Sequence, residues 1–250
     1  MTVDFAANSL EQVQAVNVLS LIKQAEKVRE EGNSTLAAHM LGIALQDAER
    51  LGRDELIGET LGQLIVCLKH LYQNGDKSSL ASMEQMVARG LVLKISDQSK
   101  AVFLLRQGDV YTFKKEYKPA EASYNAALRL VLKTNGYLAI EYKGHWAESL
   151  LKIGRDSKYV SRLIEDAIND LAKVTDVREF HRLIILSGLY ARLAKSQKQS
   201  WQFIRAYRSL RKCYQLCKQL RNQYNMPQRL NQFYQNLPGG QFWFGLLGSI

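Results

Sequence analysis

The stretch AVFLLRQGDVYTFKKEYKPAEASYNAALRLVLK, Ala101 to Lys133, decides the fold. It falls into two amphipathic segments joined by a short basic link, Lys114 to Lys118. In the first segment Gly108 and Tyr111 lie three apart and share a helix face. In the second, Ala120, Tyr124 and Ala127 recur at four and three, again on one face. The small residues let two helices approach closely, and the two tyrosines fill the space beside them. Pro119 falls in the first turn of the second segment, where no N–H donor is needed. The pattern predicts a helical hairpin.

The rest of the chain agrees with this. The 250 residues are 46% apolar, ordinary for a folded protein. Ala, Leu, Gln, Glu, Lys and Arg dominate, and these are strong helix formers. Only three prolines occur, Pro119, Pro227 and Pro238. An all-α protein is expected. The three cysteines, Cys67, Cys213 and Cys217, sit in apolar helical patterns and read as reduced thiols of a cytoplasmic protein. Met1 to Gln12 lacks the layout of a signal peptide. No run approaches the ~18 apolar residues of a spanning helix, so no transmembrane segment is expected.

Taken in order, the chain divides into about five helical pairs. Ser9 reads as an N-cap followed by apolar Val13, Val16, Leu19 or Leu21, Ile22 and Ala25. Gly32-Asn33 separates this helix from one carrying Leu36, Met40, Leu41, Ala44, Leu45, Ala48 and Leu51. The second pair runs from Glu55 to Tyr72, turns at Asn74-Gly75-Asp76, and resumes through Leu80, Met83, Val87 and Leu91. The hairpin of residues 101–133 is the third. A fourth spans Tyr137 to Ile153 and then Val160 to Leu171. The fifth opens with Asp176 as N-cap, and its second helix is expected from about Lys198 to Tyr224. On that helix Trp201, Ile204, Tyr207, Leu210, Tyr214, Cys217 and Leu220 form the expected core stripe. Residues 1–225 are expected to form the repeat domain. Residues 226–250 then supply a short helix and the apolar tail Gln241 to Ile250, which reads as docking on the array, as binding a partner, or as inserting Phe242, Trp243 and Phe244 at a membrane interface, docking being favoured.

Charge is unevenly placed. The chain has 34 basic and 24 acidic residues, yet every acidic residue lies at or before Glu179. Eleven basic residues follow that point, so the net charge of +10 belongs to the last quarter. Arg205, Arg208, Arg211, Lys212, Lys218 and Arg221 form a basic patch on the long helix. It reads either as a solvated face, as a contact for nucleic-acid phosphates, or as an attraction for an anionic protein or membrane surface.

The Gly-aromatic-Ala-aromatic-Ala order of Gly108, Tyr111, Ala120, Tyr124 and Ala127 resembles the tetratricopeptide repeat. Gly108 and Gly188 hold similar places 80 residues apart. That suggests units of about 40 residues, the longer-helix subclass rather than the usual ~34. The resemblance implies a right-handed α–α superhelix, a TPR-like solenoid of about five hairpins, whose first helices line a concave groove. Carried onto this chain, the groove positions are Leu64, Leu105, Asp109, Phe113, Tyr142, His145, Arg182, Leu189 and Arg192. A mixed apolar and polar groove suits a peptide or helix of a protein partner.

No catalytic site is expected. The four histidines are scattered, and Cys213 and Cys217 share a helix face with no histidine near them in sequence, which makes a metal site unexpected. No Gly-rich phosphate loop occurs, and no cofactor is expected. The sequence therefore points to a non-enzymatic interaction scaffold, with nucleic-acid binding through the basic helix as the alternative.

Overall fold

The computed structural model describes residues 2–132 and 136–235. The expected apolar tail lies outside the described residues. Eleven α-helices and no strands occur among them. The chain divides into two compact units, residues 1–116 and 117–250.

The first unit holds α1 (Thr2–Glu30), α2 (Ser34–Arg50), α3 (Asp54–Gln73), α4 (Ser79–Leu91) and α5 (Asp97–Phe113). Consecutive helices pack on one another, and α1 also reaches α3, as α3 reaches α5. The chain reverses where the backbone enters the left-handed region, at Gly32 (φ 101°) and Gly75 (φ 112°). Local caps fix the starts: Asn33 accepts from the Leu36 N–H, and Asp76 accepts from Ser78 and Ser79. Ala37, Ala44 and Ala48 are completely buried, so α2 lies close to its neighbours. Leu41, Leu61, Ile65, Met83 and Phe103 fill the core between them.

The second unit holds α6 (Tyr117–Val131), α7 (Gly136–Lys152), α8 (Ser157–Lys173), α9 (Glu179–Gln199), α10 (Phe203–Tyr224) and α11 (Pro227–Gln235). Here too each helix packs on the next, and α7 also reaches α9. Ala120, Ala127, Ala147 and Ala167 are completely buried. Ile140, Leu150, Ile164, Leu171 and Leu189 form one core. Cys213 and Cys217 pack with Leu230 and Phe233, which seats α11 against α10.

Several local expectations need correction. Helix α1 begins at Thr2, so Ser9 lies inside it. Among residues 11–30 its buried apolar positions are Ala15, Val18, Ile22 and Ala25, whereas Val13 and Val16 are exposed. The buried set keeps the three-four spacing of one helix face, and Val13 and Val16 fall off that face. Leu36 is exposed for the same reason, because Ala37 and Leu41 carry the face of α2. Helix α9 starts at Glu179 after Arg178, not after a cap at Asp176. The long basic helix starts at Phe203, since α9 runs on to Gln199 and the chain turns through Trp201 at φ 61°. Trp201 (81% exposed) and Ile204 (72%) therefore stand outside the core stripe.

Gly90 marks a close helix contact in the first unit: a Cβ there would lie 2.1 Å from the ring of Phe103, itself buried. Gly90→Ala is expected to lower stability by roughly 1–3 kcal/mol through overpacking, read by urea denaturation. An unchanged midpoint would show that α4 and α5 do not approach this closely.

Candidate protein-interaction face

The first helices of successive pairs touch one another through polar groups. In the first unit Arg29 of α1 donates to the Gln63 side chain of α3 and pairs with Glu30 at 2.7 Å. Next, Lys69 of α3 reaches Asp109 of α5 at 2.7 Å, and Arg106 meets the same carboxylate at 3.0 Å. Tyr72 and Phe113, on the same two helices, meet with ring centroids 4.5 Å apart and planes tilted by 36°. Glu59 sits on the same helix, its carboxyl raised by burial and by nearby Glu26 and Glu55.

In the second unit the corresponding pair is α7 and α9. Gly144 allows the approach, since a Cβ there would lie 2.7 Å from Leu189. One turn on, Glu148 meets Arg192 at 3.1 Å, Lys195 at 3.3 Å and Lys152 at 3.4 Å. The His145 ring lies 3.1 Å from the Arg192 guanidinium. Burial works to raise the Glu148 carboxyl, but Arg192, Lys152 and Lys195 outweigh it and hold the group well below the ordinary carboxylate range. One carboxylate thus faces three fixed cations and a histidine. The cluster has positive charge to spare and is only half-buried.

The structure sorts the expected groove residues into two kinds. Leu64, Leu105, Tyr142 and Leu189 are buried and serve the packed interior. Asp109 is buried too, within its ion pairs to Lys69 and Arg106. Phe113 is half-buried against the first core. Arg182 donates to the carbonyls of Leu171 and Val174, closing the end of α8. His145 and Arg192, from different pairs, are brought together beside Glu148. Glu148, Lys152 and Lys195 are the members that sequence reading missed. The four-residue step from Glu148 to Lys152 was the one local signal for them.

The basic patch is on the surface. Arg205, Arg208, Lys212, Lys218 and Arg221 are exposed and Arg211 half-buried. Lys212 lies over the Tyr190 ring, 5.4 Å from its centroid. The thiols are all buried. Burial pushes Cys67 up to about 11. The Cys217 contact and burial push Cys213 upward, and its Sγ donates to the Ser187 carbonyl at 3.3 Å. No group of three potential metal ligands occurs among the described residues. Nor is any described helix long and apolar enough to cross a membrane.

No family model matches the chain, and no curated protein matches it. Solved structures do. The chain is similar to the nearly identical TPR-like repeats of a proposed kinesin light chain from Podosopora anserina. Identity is 16% and the TM-score 0.54, over 84% of this chain and 98% of that one. A single-residue variant of those repeats gives a TM-score of 0.55 with the same identity and coverage. BtubC (BKLC) from P. vanneervenii is similar at 11% identity and a TM-score of 0.52, over 82% of this chain and 90% of that one. These likenesses show the fold: an all-α, TPR-like α–α superhelix.

Glu148→Gln leaves three cations without their carboxylate. Because the folded-state value is depressed, the ionised group stabilises above the ordinary carboxylate range, and that contribution is lost as pH falls through the depressed value. The variant is expected to be less stable by roughly 1–3 kcal/mol at pH 7, with the gap closing in acid. Denaturation curves across pH check this, and a pH-independent gap would contradict it. Cys67 and Cys213, buried and largely protonated, are expected to react with thiol reagents far more slowly in the native chain than after unfolding. Equal rates would contradict their burial.

Proposed function

We propose that the chain is a non-enzymatic scaffold that holds a peptide or helix of a protein partner on its α7–α9 face. The TPR-like fold supports a role in protein interaction. The observation that carries the finer reading is the surplus of positive charge around Glu148. Lys152, Arg192, Lys195 and His145 converge there on helices whose counterparts in such repeats line the ligand face. Such a site favours a partner segment rich in Asp and Glu, since the cations already have fixed positions and little ordering remains to be done on binding. Buried thiols suit a cytoplasmic setting.

A second reading rests on α10. Five of its six cations are exposed, and no ion pair joins any of the six to a carboxylate among the described residues. They offer a surface for an anionic macromolecule, with affinity that falls steeply with salt.

The first reading is tested by panning the intact chain against random peptides of graded charge. Acidic peptides are expected to be retained. Lys152→Met with Lys195→Met is expected to weaken them about tenfold, a loss of some 1.4 kcal/mol, with the fold intact by circular dichroism. No preference for acidic peptides, or equal retention by the variant, would contradict it.

A further inference from the structure

The turn between α9 and α10 presents large apolar side chains to solvent. Trp201 is 81% exposed, Ile204 72% and Phe203 55%, and the Trp201 and Phe203 rings meet edge to face at 5.7 Å. Val92 and Leu132 are as exposed but stand apart in the chain, and Val13 with Val16 contains no ring. The turn is not loosely held. Trp201 donates its N–H to the Lys198 carbonyl, Gln202 donates to Gln197, and the Ser200 hydroxyl donates to the Ser196 and Gln197 carbonyls. Trp201 has φ 61°, a left-handed conformation that a bulky residue seldom adopts. That strain is maintained at a residue whose side chain contributes almost nothing to the core.

Along the chain around the turn, from Lys195 to Arg221, the charge has one sign. Lys198 precedes it, Arg205 and Arg208 follow it, and all three are exposed. The Ser196 hydroxyl donates to the Ser157 carbonyl at 2.7 Å, which brings the start of α8 to the same end. That adds exposed Lys158 and Tyr159. Two carboxylates lie toward the same end: Asp156, which caps α8, and Glu165, which accepts from Gln197 at 3.5 Å. Rings and an aliphatic side chain at the apex with cations around them match the layering of a bilayer surface. Aromatic side chains settle at the headgroup boundary, and basic side chains meet anionic headgroups. Base stacking in a nucleic acid would use the rings but leave Ile204 without purpose, so the lipid surface is favoured.

We propose that the α9–α10 turn is a membrane-contact element: Trp201, Phe203 and Ile204 enter the interface of an anionic bilayer while Lys198, Arg205 and Arg208 hold its headgroups. The proposal rests on the second reading above, contact of the basic end with an anionic macromolecule, and assigns that partner.

The test is sedimentation of the full chain with vesicles of phosphatidylcholine alone and of phosphatidylcholine with phosphatidylserine. The chain is expected to bind only the anionic vesicles and to be released by salt. Trp201→Ala with Ile204→Ala is expected to weaken binding about tenfold or more, at an unchanged melting temperature because both side chains are exposed. Arg205→Glu with Arg208→Glu, also on the surface, is expected to do the same. Absence of binding to anionic vesicles overturns the proposal, as does equal binding by the Trp201 and Ile204 variant. If RNA is bound through Arg205 and Arg208 while vesicles are not, the anionic-partner reading stands and the membrane assignment falls. If neither is bound, the membrane assignment falls, and with it the nucleic-acid form of the second reading.

Discussion

Contact between the first helices of successive pairs is the constraint on which the structure depends. An antiparallel string of helices can close into many bundles if each touches only the next. Here α1 also meets α3, α3 meets α5, and α7 meets α9. Each of these second-neighbour contacts includes a pair of charged or amide groups: Arg29 with Gln63, Lys69 with Asp109, Arg192 with Glu148. Such groups are costly to bury alone and so disfavour alternatives in which they lose their partners. The intervals run from 34 residues for Arg29 and Gln63 to 44 for Glu148 and Arg192, and three pairs share one value. Lys69 and Asp109 are 40 residues apart, as are Glu49 and Arg89, and the Asp54 side chain takes the Lys94 N–H at the same interval. The repeat length of about 40 inferred from the glycine interval thus falls within the range over which side chains pair, and matches it in the first unit for these three.

Small residues make that pairing possible. Ala37, Ala44, Ala48, Ala120, Ala127 and Ala167, the second-helix alanines, are completely buried. Gly90 and Gly144 sit where even a methyl group would collide with Phe103 or Leu189. With the helices this close, long side chains on the first helices reach across rather than into the core. The same arrangement leaves Glu148 ringed by cations and α10 covered by cations with no carboxylates of its own.

Helix order, turn positions and the class of fold were legible in the sequence, because they follow from glycine, alanine and apolar periodicity. The faces of the terminal helices were less so. In α1 both Val13 and Ala15 fit a helical apolar stripe, and packing chose the smaller residue. In α10 the stripe drawn through Trp201 and Ile204 assumed one unbroken helix, whereas a left-handed residue at Trp201 turns the chain and puts both outside. Within the candidate site His145 and Arg192 were found from repeat register. Glu148 escaped because a lone acid on a helix looks like a solvated one until its partners, 44 and 47 residues on, are in place. Leu64, Leu105, Tyr142 and Leu189 were drawn to the ligand face by the same register, yet their apolar bulk is taken up by the interior.

The measurement that bears most directly on this account is a double-mutant cycle between Lys69 and Asp109, using Lys69→Met, Asp109→Asn and the pair together, read by urea denaturation of the full chain. Direct contact across successive first helices predicts a coupling energy of roughly 1–3 kcal/mol. Additivity to within about 0.3 kcal/mol would contradict it, for the two helices would then not be joined where the structure joins them.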